Sequence, residues 1–118
     1  MQKKEILKTE TGEALVYINL SYPAFDHPVL GKKAEEFYQK AAEGFCGYAK
    51  RRLFPKALAA KDAENFKPFS AVMSYTCKED GETALVRLNT FVFDGQNRIN
   101  GKTATQKWDK KTGFLKPV

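Results

Sequence analysis

Reactive side chains are scarce in this sequence, which holds one histidine, His27, and two cysteines, Cys46 and Cys77. Two cysteines are too few for a disulfide scaffold, and theirs is not the spacing of a metal ribbon or a redox pair. The expectation is buried free thiols, packed as small hydrophobes. A single Cys46–Cys77 bridge is the alternative if the domain lies outside the cytoplasm. His27 stands between Asp26 and Pro28, and neighbours in sequence seldom point at one another, so a place near a helix N-cap suits Asp26 or His27 better than acid–base work. A cysteine or serine nucleophile would need a base within hydrogen-bond reach and a third group to orient it. With one histidine and cysteines on an apolar face, that arrangement is not expected. The chain also lacks HExxH, CxxC, an EF-hand loop and a P-loop. No catalytic residue, metal ligand or cofactor is therefore assigned, and the protein is expected not to be an enzyme.

Long apolar runs are missing too. No window reaches the roughly 18 apolar residues of a membrane span, and the N-terminal "MQKKEILKTETGEALVYINL" has no uninterrupted apolar core or small-residue cleavage site. The expected location is the cytoplasm for the sequence as it stands, or outside it if a leader has been removed. Acidic residues are outnumbered, 14 against 20 lysines and arginines, which leaves a net charge of +6. That balance favours encounter with anionic partners without specifying which.

What is present fits one folded domain over residues 1–118, with 42% hydrophobic residues and fifteen aromatics. A chain of this length buries about two thirds of the surface exposed by its unfolded form. "EALVYINLSY" alternates, with Ala14, Val16, Ile18, Leu20 and Tyr22 on one face. The preceding "KKEILKTETG" could pair with it through Thr11-Gly12. From Leu30 the period becomes helical: Leu30, Ala34, Phe37, Tyr38, Ala41, Phe45, Tyr48, Ala49 and Leu53 form an apolar stripe. Gly44 and Gly47 are expected to let the helix approach the sheet closely. Pro55 is expected to break the helix and open a shorter one. Beyond Pro68 the alternation returns. Phe69, Ala71, Met73, Tyr75 and Cys77 share a face, Asp80-Gly81 marks a hairpin, and "TALVRLNTFVF" follows with both faces partly apolar. A last strand is predicted at about Lys102 to Asp109. The predicted architecture is α+β: an antiparallel sheet of 4–5 strands with one long helix on one face, in the order β(β)-α-(α)-β-β-β.

The stretch "FVFDGQNRINGKTATQKWDKKTG" carries the candidate site. Basic residues interleave with aromatics there, the pattern a single-stranded nucleic-acid platform would use. The competing reading puts the lysines in solvent and Trp108 in the core. The candidate binding residues are Arg87, Phe93, Gln96, Asn97, Arg98, Lys102, Lys107 and Trp108.

Four segments in order, "YPAF", "KKAEEFYQKAAEGFCGYAKRRLFPKALAA", "FKPFSAVMSYTCKEDGETALVRLNTFVF" and "QKWDKKTGFLKP", give Leu15–Pro117 a family resemblance. The chain resembles a domain of unknown function from Firmicutes found in the extracytoplasmic part of RsiV-type anti-sigma factors, beside polysaccharide deacetylase domains, and in short stand-alone clostridial proteins. The resemblance implies a helix packed on an antiparallel sheet and a non-catalytic binding or sensing role. In the anti-sigma-factor relatives such a domain is a receptor for lysozyme. Relatives carry Tyr-Thr-Gly-Gly-Ala-His-Gly between the last two strands, where this chain has "FDGQNRING". The expected partner is a protein or a cell-envelope polysaccharide. A basic nucleic-acid-binding domain and a small ligand-pocket protein or enzyme are the alternatives.

Overall fold

The computed structural model describes residues 1–118, apart from the side chain of Asn100. The chain folds as α+β, in the order β1 (Gln2–Lys8), β2 (Ala14–Ser21), α1 (Pro28–Tyr48), a five-residue π-helical turn (Ala49–Leu53), α2 (Phe54–Ala60), β3 (Phe69–Glu79), β4 (Thr83–Phe93), β5 (Arg98–Asp109) and β6 (Leu115–Lys116). All six strands form one sheet in sequence order. Two expectations are corrected by this arrangement. The sheet has six strands rather than four or five, because "KKEILK" does pair and a two-residue strand closes the chain. Nor is it wholly antiparallel, since β2 and β3 run parallel, with Val16 opposite Phe69 and Leu20 opposite Met73. A parallel pair needs a long crossover, and the helical segment from Pro28 to Ala60 supplies it.

Alternation decides which side of the sheet the helix covers. Val16, Ile18 and Leu20 of β2, Phe69, Ala71 and Met73 of β3, Ala84, Val86 and Leu88 of β4, and Trp108 of β5 are all buried. Against them lie Leu30, Ala34, Tyr38, Ala42, Ala49, Leu53 and Ala57. The buried stripe steps by four residues through the first half of α1, so it passes to one side of the expected Phe37, Ala41, Phe45 and Tyr48. Phe37 and Tyr48 remain more than a third exposed. Tyr38 anchors the crossing: the Trp108 indole Nε1–H donates to the Tyr38 hydroxyl at 2.8 Å, which in turn donates to Gln106 Oε1 at 3.0 Å. Phe37 packs edge-on to both Tyr38 and Trp108, at 5.0 and 5.4 Å between ring centroids.

His27 caps α1, its Nδ1 accepting from the Leu30 N–H at 3.3 Å. Pro55 does not break the helix. The Phe54 N–H bonds to the Ala49 carbonyl five residues back, and this wider turn admits Pro55 at the start of α2. The ring lacks the N–H that a regular α-helix interior would use. Gly44 and Gly47 are not required by the sheet: a Cβ at Gly44 would meet nothing within 4 Å, and one at Gly47 would meet only the Arg51 side chain. Both cysteines are free, but only Cys46 is partly buried. Cys77 is exposed, as are all of the last five residues of β3.

Candidate functional site

Three hairpins shape the C-terminal half of the sheet, and each turn is organised by an aspartate. The Asp80 carboxylate accepts from the N–H groups of Glu82 and Thr83 at 2.8 and 2.6 Å. Asp94 accepts from those of Gln96 and Asn97 at 3.0 and 2.7 Å, and Asp109 from those of Lys111 and Thr112 at 2.8 and 3.3 Å. These bonds favour the charged form. Asp80 is held at about 2, chiefly by the Thr83 and Glu82 N–H groups. Asp94 and Asp109 are lowered by their own turn N–H groups.

The expected Phe93–Lys102 loop is thereby shortened. Only Asp94 to Asn97 turn, and β5 has begun by Arg98. Within β5 the register slips opposite Thr90. A Cβ on Gly101 would stand 2.5 Å from Thr90 Oγ1, so only glycine fits there. The Thr90 hydroxyl accepts from the Lys102 N–H at 3.1 Å.

Strand register divides the candidate residues into separate places. Trp108 points to the helix and is buried. Arg87 and Lys107 lie on the opposite face, where no helix packs: Arg87 pairs with Thr105, and Lys107 with Leu85. Phe93 and Arg98 pair on that same face at the other end of β4, roughly 20 Å from Arg87 at about 3.3 Å per residue. Gln96 and Asn97 form the exposed turn between them, and Lys102 sits exposed at the bulge. Sequence reasoning thus names two ends of one face together with one residue from its reverse.

The helix-free face has its own composition. Across it run Ile6, Tyr17, Ser70, Phe93 and Arg98 in one row, and Thr76, Arg87 and Thr105 in another. Between these lie Asn19, Val72 and Phe91, then Ser74, Asn89 and Thr103. The Thr103 hydroxyl donates to Asn89 Oδ1 at 2.9 Å, and the Arg98 guanidinium lies over the Phe91 ring at 3.9 Å. By the same registers the strands place Lys4, Lys78, Arg87, Arg98, Lys107 and Lys116 on this face with Asp109 as the one carboxylate, itself 3.5 Å from Lys116. The alternating signal was present in "TALVRLNTFVF". Only the cross-strand register could bring Lys4, Tyr17, Lys78 and Thr105 to the same surface.

Of several surface concavities, one lies at the candidate residues and another on the helix side of the sheet. On the helix-free face a hollow of about 310 Å³ is lined by Thr76, Cys77, Lys78, Leu85, Arg87 and Thr105. On the other face a groove of about 580 Å³ lies between the β1–β2 hairpin and the end of α1, over Ile18, Leu20 and Ala42. At its mouth Glu5 accepts from the Cys46 thiol at 3.2 Å and pairs with Lys50 at 3.2 Å. Glu5 is lowered first by the thiol and then by Lys50, while Cys46 is raised by desolvation and by the same carboxylate. A protonated thiol is a poor nucleophile, and the Glu5 carboxylate is already paired with Lys50. Among the described residues no three His, Cys, Asp or Glu side chains are grouped to hold a metal ion, and no helix is long and apolar enough to cross a membrane. Compared with known proteins, the chain matches no family model and no curated protein.

Proposed function

We propose that the protein is a non-catalytic binding domain that engages its partner, a protein or a cell-envelope polysaccharide, through the helix-free face of its sheet. The observation that carries this reading is the face itself. It is a broad strand surface uncovered by any helix, with six cations, one carboxylate and the half-buried rings of Phe91 and Phe93 beside exposed Tyr17. Exposed apolar surface rimmed by polar groups marks interaction sites, and the role implied by the sequence's resemblance to the anti-sigma-factor domain is of the same kind. Nothing in the charge or burial of this face assembles a nucleophile with a base.

The test compares retention of immobilised protein on sheared envelope polymer and on soluble protein fractions from the native source. Charge reversal at Arg87 and Arg98 should abolish retention of whichever fraction binds. Reversal at Lys40, exposed on α1, should leave it intact. Retention that survives the sheet variants and fails with the helix variant would place the partner on the other side and overturn the reading.

A further inference from the structure

We propose that the hollow around Arg87 is a subsite for a carboxylated sugar, so that the partner is an acidic, uronate-bearing polysaccharide. The inference rests on the reading that the helix-free face binds. It adds the chemistry of the ligand.

The geometry of the hollow is specific. Arg87 stands at its centre on β4, with Thr76 directly across on β3 and Thr105 directly across on β5. A guanidinium presents a planar fork that matches a carboxylate with two parallel hydrogen bonds. Hydroxyls on both flanks can donate to and accept from the ring hydroxyls beside that carboxylate. Leu85 supplies an apolar patch for a sugar face, and Lys78 on one strand and Lys107 on another set two further cations beside it. At about 310 Å³ the hollow is at the small end of ligand sites. One sugar ring suits it, and the polymer would continue over the Ser74, Asn89 and Thr103 row.

Other occupants fit less well. Single-stranded nucleic acid needs rings on which successive bases can stack, and none lines the hollow. Of the three rings farther along the face only Tyr17 is exposed, and Phe91 is already covered by Arg98. A neutral glycan would leave the cations around the hollow without counter-charges.

Titration with polygalacturonate, its fully methyl-esterified form and an oligothymidylate of similar length tests the proposal. Polygalacturonate should bind, with affinity that falls as salt rises. Esterification should remove that binding. Arg87→Gln should weaken it at least about tenfold, the loss expected for a charged hydrogen-bonding partner. Lys40→Gln should not, and a thermal melt of each variant confirms the fold. The proposal fails if polygalacturonate does not bind, if the ester binds equally well, if Arg87→Gln binds like the parent, or if the oligonucleotide binds more tightly. Loss of envelope or protein capture in the sheet variants, combined with no polygalacturonate binding, would discard the sugar and keep the face.

Discussion

Tyr38 is the residue on which the two layers of the fold meet. It is fully buried, and its hydroxyl accepts from Trp108 and donates to Gln106. Tyr38→Phe keeps the ring but strands an indole N–H and an amide oxygen, each costing about 1–3 kcal/mol when unpaired in the interior. The expected loss in urea unfolding is about 2–4 kcal/mol. The same hydroxyl gives a basic limit, since desolvation raises Tyr38 well above its usual value. The unfolded phenol ionises near pH 10 while the folded one stays neutral. Stability should therefore be intact below about pH 10 and fall as pH climbs beyond it; the Tyr38→Phe variant should lack this component in the same pH series. Gly44 offers the opposite sign. It lies in α1 with open space where a Cβ would be, so Gly44→Ala should stabilise by about 1 kcal/mol and raise Tm by about 4 °C. No gain on a thermal melt would mean that the helix surface there is constrained by something other than propensity.

At the scale of elements, the three aspartate turns set an acid limit. Their folded pKa values are lowered, so their contribution is complete above the unfolded value near 4 and is lost as pH falls below it, for Asp80 as pH approaches about 2. Urea midpoints should drop between about pH 4 and pH 2, and Asp80→Asn should reduce that drop; an unchanged slope would refute the assignment. The Asp80 turn was legible because "EDGE" states its chemistry locally, as does the alternation of β2, β3 and β4, whereas "DGQN" read as part of a longer loop. Less local features were not. The parallel pairing of β2 with β3 depends on how the crossover packs, and β2 alternates as it would in an antiparallel sheet, since only one of its faces is buried. β1, almost wholly exposed, could be read only as an optional partner of β2, and the two-residue β6 gave too little apolar signal to register as a strand. Pro55 read as a breaker because the pattern of single residues does not reveal that a π-helical turn can absorb it. Of the candidate residues, the sequence groups Arg87, Lys107 and Trp108 together, and cross-strand register was needed to set Trp108 on the opposite face and to bring Thr76, Lys78 and Thr105 beside Arg87.

At the scale of the whole molecule, one sheet serves two solvents, the helix on one side and water on the other. The aromatic contacts around Trp108 join α1 to β5, while the envelope-facing proposal concerns the reverse face alone. Trp108 fluorescence and far-UV circular dichroism should therefore report one coincident unfolding transition, unaffected in midpoint by Arg87→Gln. Separated transitions would show that the C-terminal strands melt independently of the helix.

The parallel seam also orders events in time. β1–β2 and β3 to β6 are joined by short turns and can form by local search, whereas the seam closes only after the chain from Tyr22 to Pro68 has brought its ends together. Loop closure of that length costs entropy before any seam contact offsets it. Kinetically the protein is then two local meanders awaiting one distant handshake. Truncations across the seam, such as Ile18→Val and Ala71→Gly, should slow refolding more than Val86→Ala does for equal loss of stability.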